Sequence, residues 1–401
     1  MDNKFKNICV IGLGYIGLPT ASLLATKGYK VHGVDVTPSV VKTINDGKIH
    51  IVEPGLDILV KSAVGSGNLK AGLEPEEADV FIIAVPTPFI GDHEPDLTYV
   101  KQAAEAISPY LKPGNVIILE STSPVGTTNQ LAAILEKNGH KAGEDIFIAY
   151  CPERVLPGQI IVELVQNDRI VGGINDASTK ITAEFYNTFV SGSVLETTSK
   201  TAEMVKLTEN SYRDVNIAFA NELSLITDAN DINVWDVIRL ANRHPRVNIL
   251  QPGPGVGGHC IAVDPWFIVS QNPELARIIR TAREVNDSKP EWVLSKVRTY
   301  ASKFKNPVIG CLGLAFKADV DDLRESPSLG IVQKIQQENI GKVIVCEPNL
   351  NSHDDFELHS LEETIQKSDV ILLLVDHKEF KVLTALMLSE KLVIDTRGAI
   401  S

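Results

Sequence analysis

The stretch VIGLGYIGLP (10–19) constrains the fold of this chain more than any other. An apolar, β-rich run ends in three glycines, Gly12, Gly14 and Gly17, and a segment with helical spacing follows. Asp35 stands at the end of the next apolar run. A Gly-x-Gly-x-x-Gly motif between a strand and a helix, with an acidic residue after the second strand, is typical of a dinucleotide-binding βαβ unit.

Each glycine has a separate physical reason. Gly12 permits the tight turn, Gly14 lets the backbone approach a pyrophosphate, and Gly17 lets the helix pack closely on the strand. Asp35 can accept both ribose hydroxyls and would repel a 2′-phosphate, which predicts NAD rather than NADP. A Rossmann-like domain without a cofactor is the alternative. The predicted cofactor contacts in this loop are Gly12, Gly14, Tyr15, Ile16 and Gly17.

Strand-like runs alternate with helical segments at both ends of the chain, and a long helix is predicted between them over 201–229. We therefore predict an α/β protein with two Rossmann-like, doubly wound parallel-sheet domains joined by a long central helix and helical domain. The predicted domains are 1–198, which binds NAD, 199–300, the central helical domain, and 301–401, the second Rossmann-like domain. The predicted strands lie within 7–14, 29–35, 78–86, 115–122, 146–152, 307–316, 342–348, 369–376 and 391–398.

Composition and charge exclude several classes of function. The formal net charge of −13 argues against nonspecific nucleic-acid binding. No apolar run approaches the ~18 residues of a membrane helix, and the N-terminus lacks a signal-peptide layout, so a cytoplasmic protein is expected. The five cysteines are scattered and lack metal-ligand spacing, so neither a disulfide framework nor a metal site is predicted.

The stretch PGPGVGGHCIAVDPW (252–266) surrounds a single cysteine, Cys260, with glycine and proline. A thiol becomes a nucleophile where cations or oriented N–H groups favour its thiolate. We expect Gly255, Gly257 and Gly258 to let backbone N–H groups face a ligand.

The predicted central helix can supply the cation. Lys206, Asn210 and Arg213 recur at helical spacing and share one face, although a plain exposed stripe is the alternative. We expect Lys206 and Asn210 to stabilise an oxyanion, and Asp264 to orient Lys206 or a water molecule. With NAD, the cysteine predicts oxidation of an alcohol through an aldehyde, a thiohemiacetal and a thioester to a carboxylate.

Two threonines follow strand ends, where open α/β sheets bind ligands. Thr87 in AVPTP and Thr122 in ESTSPVGT are therefore expected to meet the ribose or nicotinamide. The alternative is that they only shape turns.

The chain resembles the nucleotide-sugar 6-dehydrogenases, the UDP-glucose/UDP-mannuronic-acid dehydrogenase family, over essentially its full length. The resemblance rests on GLGYIGLP, AVPTPF, ESTSPVGT, AYCPERVLPG, TAEMVKLTENSYRDVNIAFANE, NRHPRVNILQPGPGVGGHC and GLAFKADVDDLRESP. It implies a four-electron oxidation of C6 of a UDP-hexosamine to a uronic acid with two NAD, for surface polysaccharide synthesis.

The resemblance also implies roles for individual residues. Cys260 takes the nucleophile's position and Lys206 the general acid/base or oxyanion position, while Asn210 and Asp264 match supporting polar residues. Glu153 falls where the family places a carboxylate near C6 and water. Lys317 and Arg324 fall where the family holds the UDP and closes over NAD. The remaining substrate-contacting positions are Arg154, Val155, Arg213, His244, Arg246 and Gly257.

One departure from the family pattern bears on the substrate. UDP-glucose enzymes read P-E-F-L-R-E-G where this chain reads CPERVLPG, so a second acidic residue is absent and Pro157 takes its place. That departure favours a 2-acetamido sugar over glucose. UDP-N-acetyl-D-mannosamine is the first expectation, UDP-N-acetylglucosamine the nearest rival, and a non-catalytic NAD/UDP-sugar sensor a further alternative.

Assembly is a separate expectation. The resemblance implies that His244 and Arg246 reach in from a neighbouring subunit. Together with the long central helix, this predicts a homodimer or a higher homo-oligomer.

Overall fold

The computed structural model describes residues 4–91, 93–156, 158–258 and 260–400. Pro157 and His259 lie outside these ranges. The chain forms two compact units, Met1–Thr208 and Glu209–Ser401, which we call the N-terminal and C-terminal units. The division into three domains stays a prediction.

The N-terminal unit is built on one eight-stranded sheet with strand order β10-β9-β8-β7-β4-β1-β2-β3. Every neighbouring pair is parallel except β8 and β9, which run antiparallel. A separate two-stranded hairpin pairs β5 with β6. The strands are β1 Asn7–Ile11, β2 Lys30–Val34, β3 Leu69–Gly72, β4 Val80–Ile83, β5 Phe89–Ile90, β6 Glu94–Pro95, β7 Val116–Leu119, β8 Phe147–Tyr150, β9 Arg169–Gly173 and β10 Val194–Thr198.

Helices cover both faces of this sheet. Successive residues of β4 are all buried, and they alternate between two hydrophobic clusters: Val80 and Ile82 face one, Phe81 and Ile83 the other. Strands buried on both faces are the hallmark of a doubly wound fold, as predicted. The helices are α1 Gly17–Thr26, α2 Pro38–Asn45, α3 Leu56–Gly65, α4 Thr98–Ile107, α5 Thr127–Lys137, α6 Ile160–Gln166 and α7 Asp176–Tyr186.

The long predicted helix is confirmed as α8, Ser199–Asp228, which runs through the boundary of the two units. Within the C-terminal unit it packs on α11, Arg277–Ala301, through a buried ion pair between Arg283 and Asp214 at 2.6 Å. Burial raises the pKa of Asp214 even though Arg283 opposes that shift. A buried pair of this kind is costly to break, because the remaining charge would be left without a partner.

The C-terminal unit contains a second, smaller parallel sheet with strand order β12-β11-β13-β14. Buried hydrophobic clusters lie on both of its faces, which confirms the second Rossmann-like fold. No helix in the described ranges is long and apolar enough to cross a membrane. The remaining elements are β11 Val308–Leu312, β12 Lys342–Cys346, β13 Val370–Leu373, β14 Leu392–Asp395, α9 Val234–Ala241, α10 Asp264–Gln271, α12 Pro327–Gln337 and α13 Leu361–Lys367.

Candidate active site

The predicted cofactor loop joins β1 to α1, and the three glycines occupy it for three different reasons. Gly12 has a φ of +90°, and a Cβ there would lie 2.6 Å from the carbonyl oxygen of Ala84. A Cβ on Gly17 would lie 1.8 Å from the carbonyl oxygen of Gly12, so the start of α1 packs backbone to backbone on the loop that follows β1. A Cβ on Gly14 would meet nothing within 4 Å. This open space beside Gly14 is where a bound pyrophosphate needs room.

Asp35 directly follows β2 and lies beside this loop. Its Oδ2 accepts a hydrogen bond from the amide of Leu13 at 3.3 Å, and its Oδ1 accepts one from the amide of Thr37 at 2.9 Å. The acidic side chain is thereby fixed next to the glycine loop, as ribose recognition requires.

Sequence reasoning missed His50, which lies beside Asp35. Partial burial lowers the pKa of His50, while the charge of Asp35 and a hydrogen bond with the backbone of Leu13 oppose that shift. A single histidine in a polar loop gave no signal in the sequence.

The two predicted threonines do come together. The hydroxyl of Thr87 donates to the carbonyl oxygen of Thr122 at 2.6 Å, which joins the loops that follow β4 and β7. This bond is what the turn-shaping alternative predicts. A hydroxyl that donates one hydrogen bond can still accept another from a ligand. Their contact with the cofactor stays a prediction.

Lys206 and Glu153 meet inside the N-terminal unit. The ammonium of Lys206 donates to the backbone carbonyl of Glu153 at 2.8 Å, and the Glu153 carboxylate pairs with Arg169 at 2.7 Å. Both members of this ion pair are buried. Arg169, on β9, was missed because its partner is distant in the sequence and NDRIVGG (167–173) has no recognised motif.

Asn210 and Asp264 meet inside the C-terminal unit. The amide of Asn210 donates to the buried carboxylate of Asp264 at 2.5 Å, which ties α8 to the first residue of α10. The carbonyl of Cys260 accepts the amide of Asp264 at 2.8 Å, so the cysteine lies just before the helix start. Asp264 also bonds to Asn210, and its expected role in orienting Lys206 or a water molecule stays a prediction.

The five cysteines fall into two groups that differ in burial. Cys260 is half-buried, whereas the other four are buried. Burial raises the pKa of each of those four to about 12, so they remain protonated thiols at neutral pH. The buried cysteines are Cys9, Cys151, Cys311 and Cys346.

The glycines of the cysteine loop also pack closely within the C-terminal unit. A Cβ on Gly257 would lie 2.4 Å from the carbonyl of Glu325, and one on Gly258 would lie 3.0 Å from the ring of Phe316. The amide of Gly258 donates to the carbonyl of Arg324 rather than facing a ligand. The expectation for Gly258 was therefore wrong: close packing within the C-terminal unit requires the glycine.

The predicted substrate residues fall in two places. In the N-terminal unit, the guanidinium of Arg154 donates to the carbonyl of Asp168 at 3.1 Å, and Val155 packs on the core. In the C-terminal unit, Arg213, His244 and Arg246 are exposed. The last two lie in a loop whose ends are joined by two hydrogen bonds between the Asn242 amide and the Ile249 backbone.

The second sheet carries the remaining predicted cations, Lys317 and Arg324, on the segment after β11. Arg324 pairs with Asp322 at 2.6 Å.

Sequence reasoning missed Arg397, which follows β14 and lies against the cysteine loop, since a Cβ on Gly253 would be 2.6 Å from its guanidinium. The polar DTRG at a strand's carboxyl end was the available signal. Among the described residues, no cluster of His, Cys, Asp and Glu is arranged to hold a metal ion.

Comparison with protein families covers most of the chain. Residues 6–190 match the NAD binding domain of the UDP-glucose/GDP-mannose dehydrogenase family, residues 200–288 its central domain, and residues 310–401 its UDP binding domain. The open cradle at Gly14 and the fixed carboxylate of Asp35 fit the NAD that these dehydrogenases use.

Individual relatives are similar over nearly their whole length. A UDP-N-acetyl-D-mannosamine dehydrogenase of Campylobacter jejuni is 58% identical, covering 94% of this chain and 97% of its own. An NDP-N-acetyl-D-galactosaminuronic acid dehydrogenase of Ralstonia solanacearum is 55% identical, covering 99% and 97%. The solved structure of a UDP-N-acetyl-mannosamine dehydrogenase from S. aureus superposes with a TM-score of 0.91 at 44% identity, covering 99% and 96%.

The glycine geometry makes a matched pair of predictions. Gly14→Ala places a methyl group in open space, so the unfolding free energy should stay within about 1 kcal/mol of wild type while NAD affinity falls by roughly tenfold or more. Gly17→Ala forces α1 away from β1 and should cost about 3 kcal/mol of stability. Urea denaturation and calorimetric titration with NAD measure the two effects. Unchanged NAD affinity in Gly14→Ala would contradict the assignment of the cradle.

Proposed function

The chain belongs to the UDP-glucose/GDP-mannose dehydrogenase family, and we propose that it oxidises C6 of UDP-N-acetyl-D-mannosamine to UDP-N-acetyl-D-mannosaminuronic acid. The observation that carries the proposal is the polar face of α8. Lys206 and Asn210 lie one helical turn apart, and each is held by a partner in its own unit. Such a face, together with the half-buried thiol of Cys260, is suited to oxidation beyond the aldehyde.

The overall reaction converts a primary alcohol, two NAD⁺ and one water into a carboxylate, two NADH and three protons. When bound, NAD accepts the hydride that leaves C6 in each of the two oxidations. In our proposal the Cys260 thiolate adds to C6 of the aldehyde after the first oxidation, which forms a thiohemiacetal. Lys206 and Asn210 donate to the oxygen that becomes negatively charged. The second oxidation leaves a thioester on the same sulfur.

Hydrolysis completes the reaction. The oxygen of a water molecule bonds to C6, its proton passes to the carboxylate of Glu153, and the C6–S bond breaks with its electron pair returning to the sulfur of Cys260. In this proposal Asp264 is a positioning residue, because its carboxylate fixes the amide of Asn210. The proposal requires the thiol, the ammonium and the Glu153 carboxylate to act on one sugar carbon.

A second sugar is favoured by a specific observation. The Ralstonia relative is named for N-acetyl-D-galactosaminuronic acid at 55% identity, close to the 58% of the mannosamine relative. N-acetylglucosamine differs from N-acetylmannosamine in the configuration at C2 and from N-acetylgalactosamine in the configuration at C4, so the mannosamine and galactosamine sugars differ at both carbons.

A panel of UDP-sugars therefore tests the substrate. UDP-N-acetyl-D-mannosamine should be turned over with two NADH per sugar and a uronic acid as the product. UDP-N-acetylglucosamine, UDP-N-acetylgalactosamine and UDP-glucose should be slower by about tenfold or more, the factor that 1.4 kcal/mol provides. NADH absorbance and mass spectrometry of the product measure both quantities. A ratio of one NADH per sugar would indicate a simple two-electron dehydrogenase, and absence of any turnover would favour the sensor.

Replacement of the thiol tests the mechanism. Cys260→Ser should lower the rate of acid formation on the order of 10³-fold, about 4 kcal/mol of transition-state free energy, because the hydroxyl is a much weaker nucleophile. The dissociation constants of NAD and the UDP-sugar should change little. Cys311→Ser, at a buried thiol within β11, is the control and should retain activity. Acid formation at the wild-type rate in Cys260→Ser would refute covalent catalysis.

We further propose a homodimer formed through α8. Tyr212, Phe219 and Ile226 repeat at heptad spacing on the C-terminal part of this helix, and their exposed fractions are 69%, 56% and 55%. A stripe of large exposed apolar side chains on one helix is suited to burial against a second copy. The exposed loop with His244 and Arg246 would then be available to the partner.

Light scattering tests the dimer. The wild type should have the mass of a dimer at micromolar concentration, and Phe219→Glu should shift it toward the monomer with loss of activity. Ile278→Glu, at an exposed apolar residue on α11, should remain a dimer. A wild-type monomer with full activity would refute the proposal.

Two finer expectations remain proposals. A catalytic thiol that must stay reduced is suited to the cytoplasm, where free cysteines persist. A uronic acid product carries a new negative charge at C6 and suits the synthesis of an acidic surface polysaccharide.

A further inference from the structure

A buried cluster of charged and polar groups lies behind Glu153 in the N-terminal unit. It brings together Glu120 after β7, Glu153 after β8, Arg169 on β9 and Tyr186 on α7. All four side chains are buried. The guanidinium of Arg169 lies over the ring of Tyr186 at 5.5 Å, so these elements form one packed polar core beneath the strand ends.

The cluster has two carboxyl groups and one guanidinium. Arg169 Nη1 bonds to Oε2 of Glu153 at 2.7 Å, and its Nη2 donates to the carbonyl of Leu164 at 3.0 Å. The two terminal nitrogens of Arg169 are thus bonded to Glu153 and to the backbone. By contrast, Oε1 of Glu120 accepts a hydrogen bond from the Tyr186 hydroxyl at 2.7 Å, and its Oε2 has no hydrogen-bond partner among the described residues.

An ionised carboxylate is costly in such a place, because burial removes its hydration and one oxygen is left without a hydrogen bond. Burial, followed by the negative charge of Glu153, raises the pKa of Glu120 to about 7, while Arg169 and Tyr186 act in the opposite direction. The neighbouring Cys151 remains a neutral thiol, since burial raises its pKa to about 12. Glu120 is therefore the member of the cluster whose charge changes near neutral pH.

We propose that Glu120 is a positioning residue for the hydrolytic step: its buried carboxyl, held by Tyr186 behind the Arg169–Glu153 pair, sets how strongly Glu153 accepts a proton. This inference rests on the proposed function, in which Glu153 takes the proton of the attacking water. When Glu120 ionises, a second negative charge appears beside Glu153 and strengthens its affinity for that proton. A stronger base removes the proton of water more readily. Thioester hydrolysis should therefore accelerate as pH rises through the titration of Glu120.

The variant that tests this is Glu120→Gln, which keeps the shape and the bond from Tyr186 but is neutral at every pH. Rapid-quench measurement of acid formation after the initial burst of NADH isolates the hydrolytic step between pH 5.5 and 9. The wild-type hydrolysis rate should rise through pH 7. Glu120→Gln should match the wild type within about threefold at pH 6 and be roughly tenfold slower at pH 8.5, the factor that one pKa unit represents.

A second variant moves the titration instead of removing it. Tyr186→Phe deletes the hydroxyl that stabilises ionised Glu120, so the rise in hydrolysis rate should shift to higher pH. Glu184→Gln is the matched control on the same helix, since Glu184 is exposed and pairs only with Lys4 among the contacts described. Its pH profile should overlay that of the wild type. Overlapping profiles for Glu120→Gln and the wild type would overturn the proposal.

A readout without turnover separates this proposal from the proposed function. Because the pKa of Glu120 is raised in the folded state, the folded protein binds the proton more tightly than the unfolded chain does. Wild-type stability should therefore fall as pH rises from about 5 toward the folded pKa near 7, and this fall should be missing in Glu120→Gln. If the stability effect appears while no UDP-sugar is oxidised, the proposed function is wrong but the raised pKa of Glu120 is confirmed. If hydrolysis occurs without any change in its pH profile, the positioning role fails alone.

Discussion

The backbone contact between α1 and β1 determines where the chemistry of the N-terminal unit can lie. With no side chain at Gly17, the first turn of α1 packs on the carbonyl of Gly12, which brings the two ends of the glycine loop together. Asp35 then holds the amide of Leu13 in that loop. Since the neighbouring strands are parallel, their carboxyl ends share one edge with this loop, and the threonine and Glu153 loops are placed there too.

The second sheet repeats this arrangement with a different outcome. Glu347 directly follows β12, and its carboxylate accepts hydrogen bonds from the amides of Leu314 and Ala315, in the loop after β11, at 2.7 and 3.1 Å. Burial acts to raise the pKa of Glu347, but the bonds from His377 and from the amides of Leu314 and Asn349 outweigh it and lower the pKa. Both carboxylates fix the first loop of a Rossmann-like unit. Only Asp35 lies beside a glycine cradle with open space, which is consistent with NAD binding in the N-terminal unit.

The sequence allowed the covered strands, the long helix and the roles of the three fingerprint glycines to be predicted, because each depends on local spacing. Strands β3, β9 and β10 could not be predicted, since LKAG, RIVGG and VLETT are short and lack a sustained apolar pattern. The direction of a strand in a sheet depends on its neighbours, so the antiparallel pairing of β9 with β8 leaves no signal in the local sequence. For the same reason the partnership of Arg169 with Glu153 and the packing of Gly258 against Phe316 emerged only in three dimensions.

Burial sorts titratable groups of one type into different chemical roles. Four thiols within strands or directly after one are kept protonated by desolvation, which leaves the half-buried Cys260 as the accessible sulfur without any change in residue type. The carboxyl groups follow the same principle with partners added. Glu153 has a guanidinium and Asp264 an amide, whereas Glu120 has a single hydroxyl. With so little compensation, burial raises the pKa of Glu120 to about 7, and its position behind Glu153 lets its charge act on the proposed base.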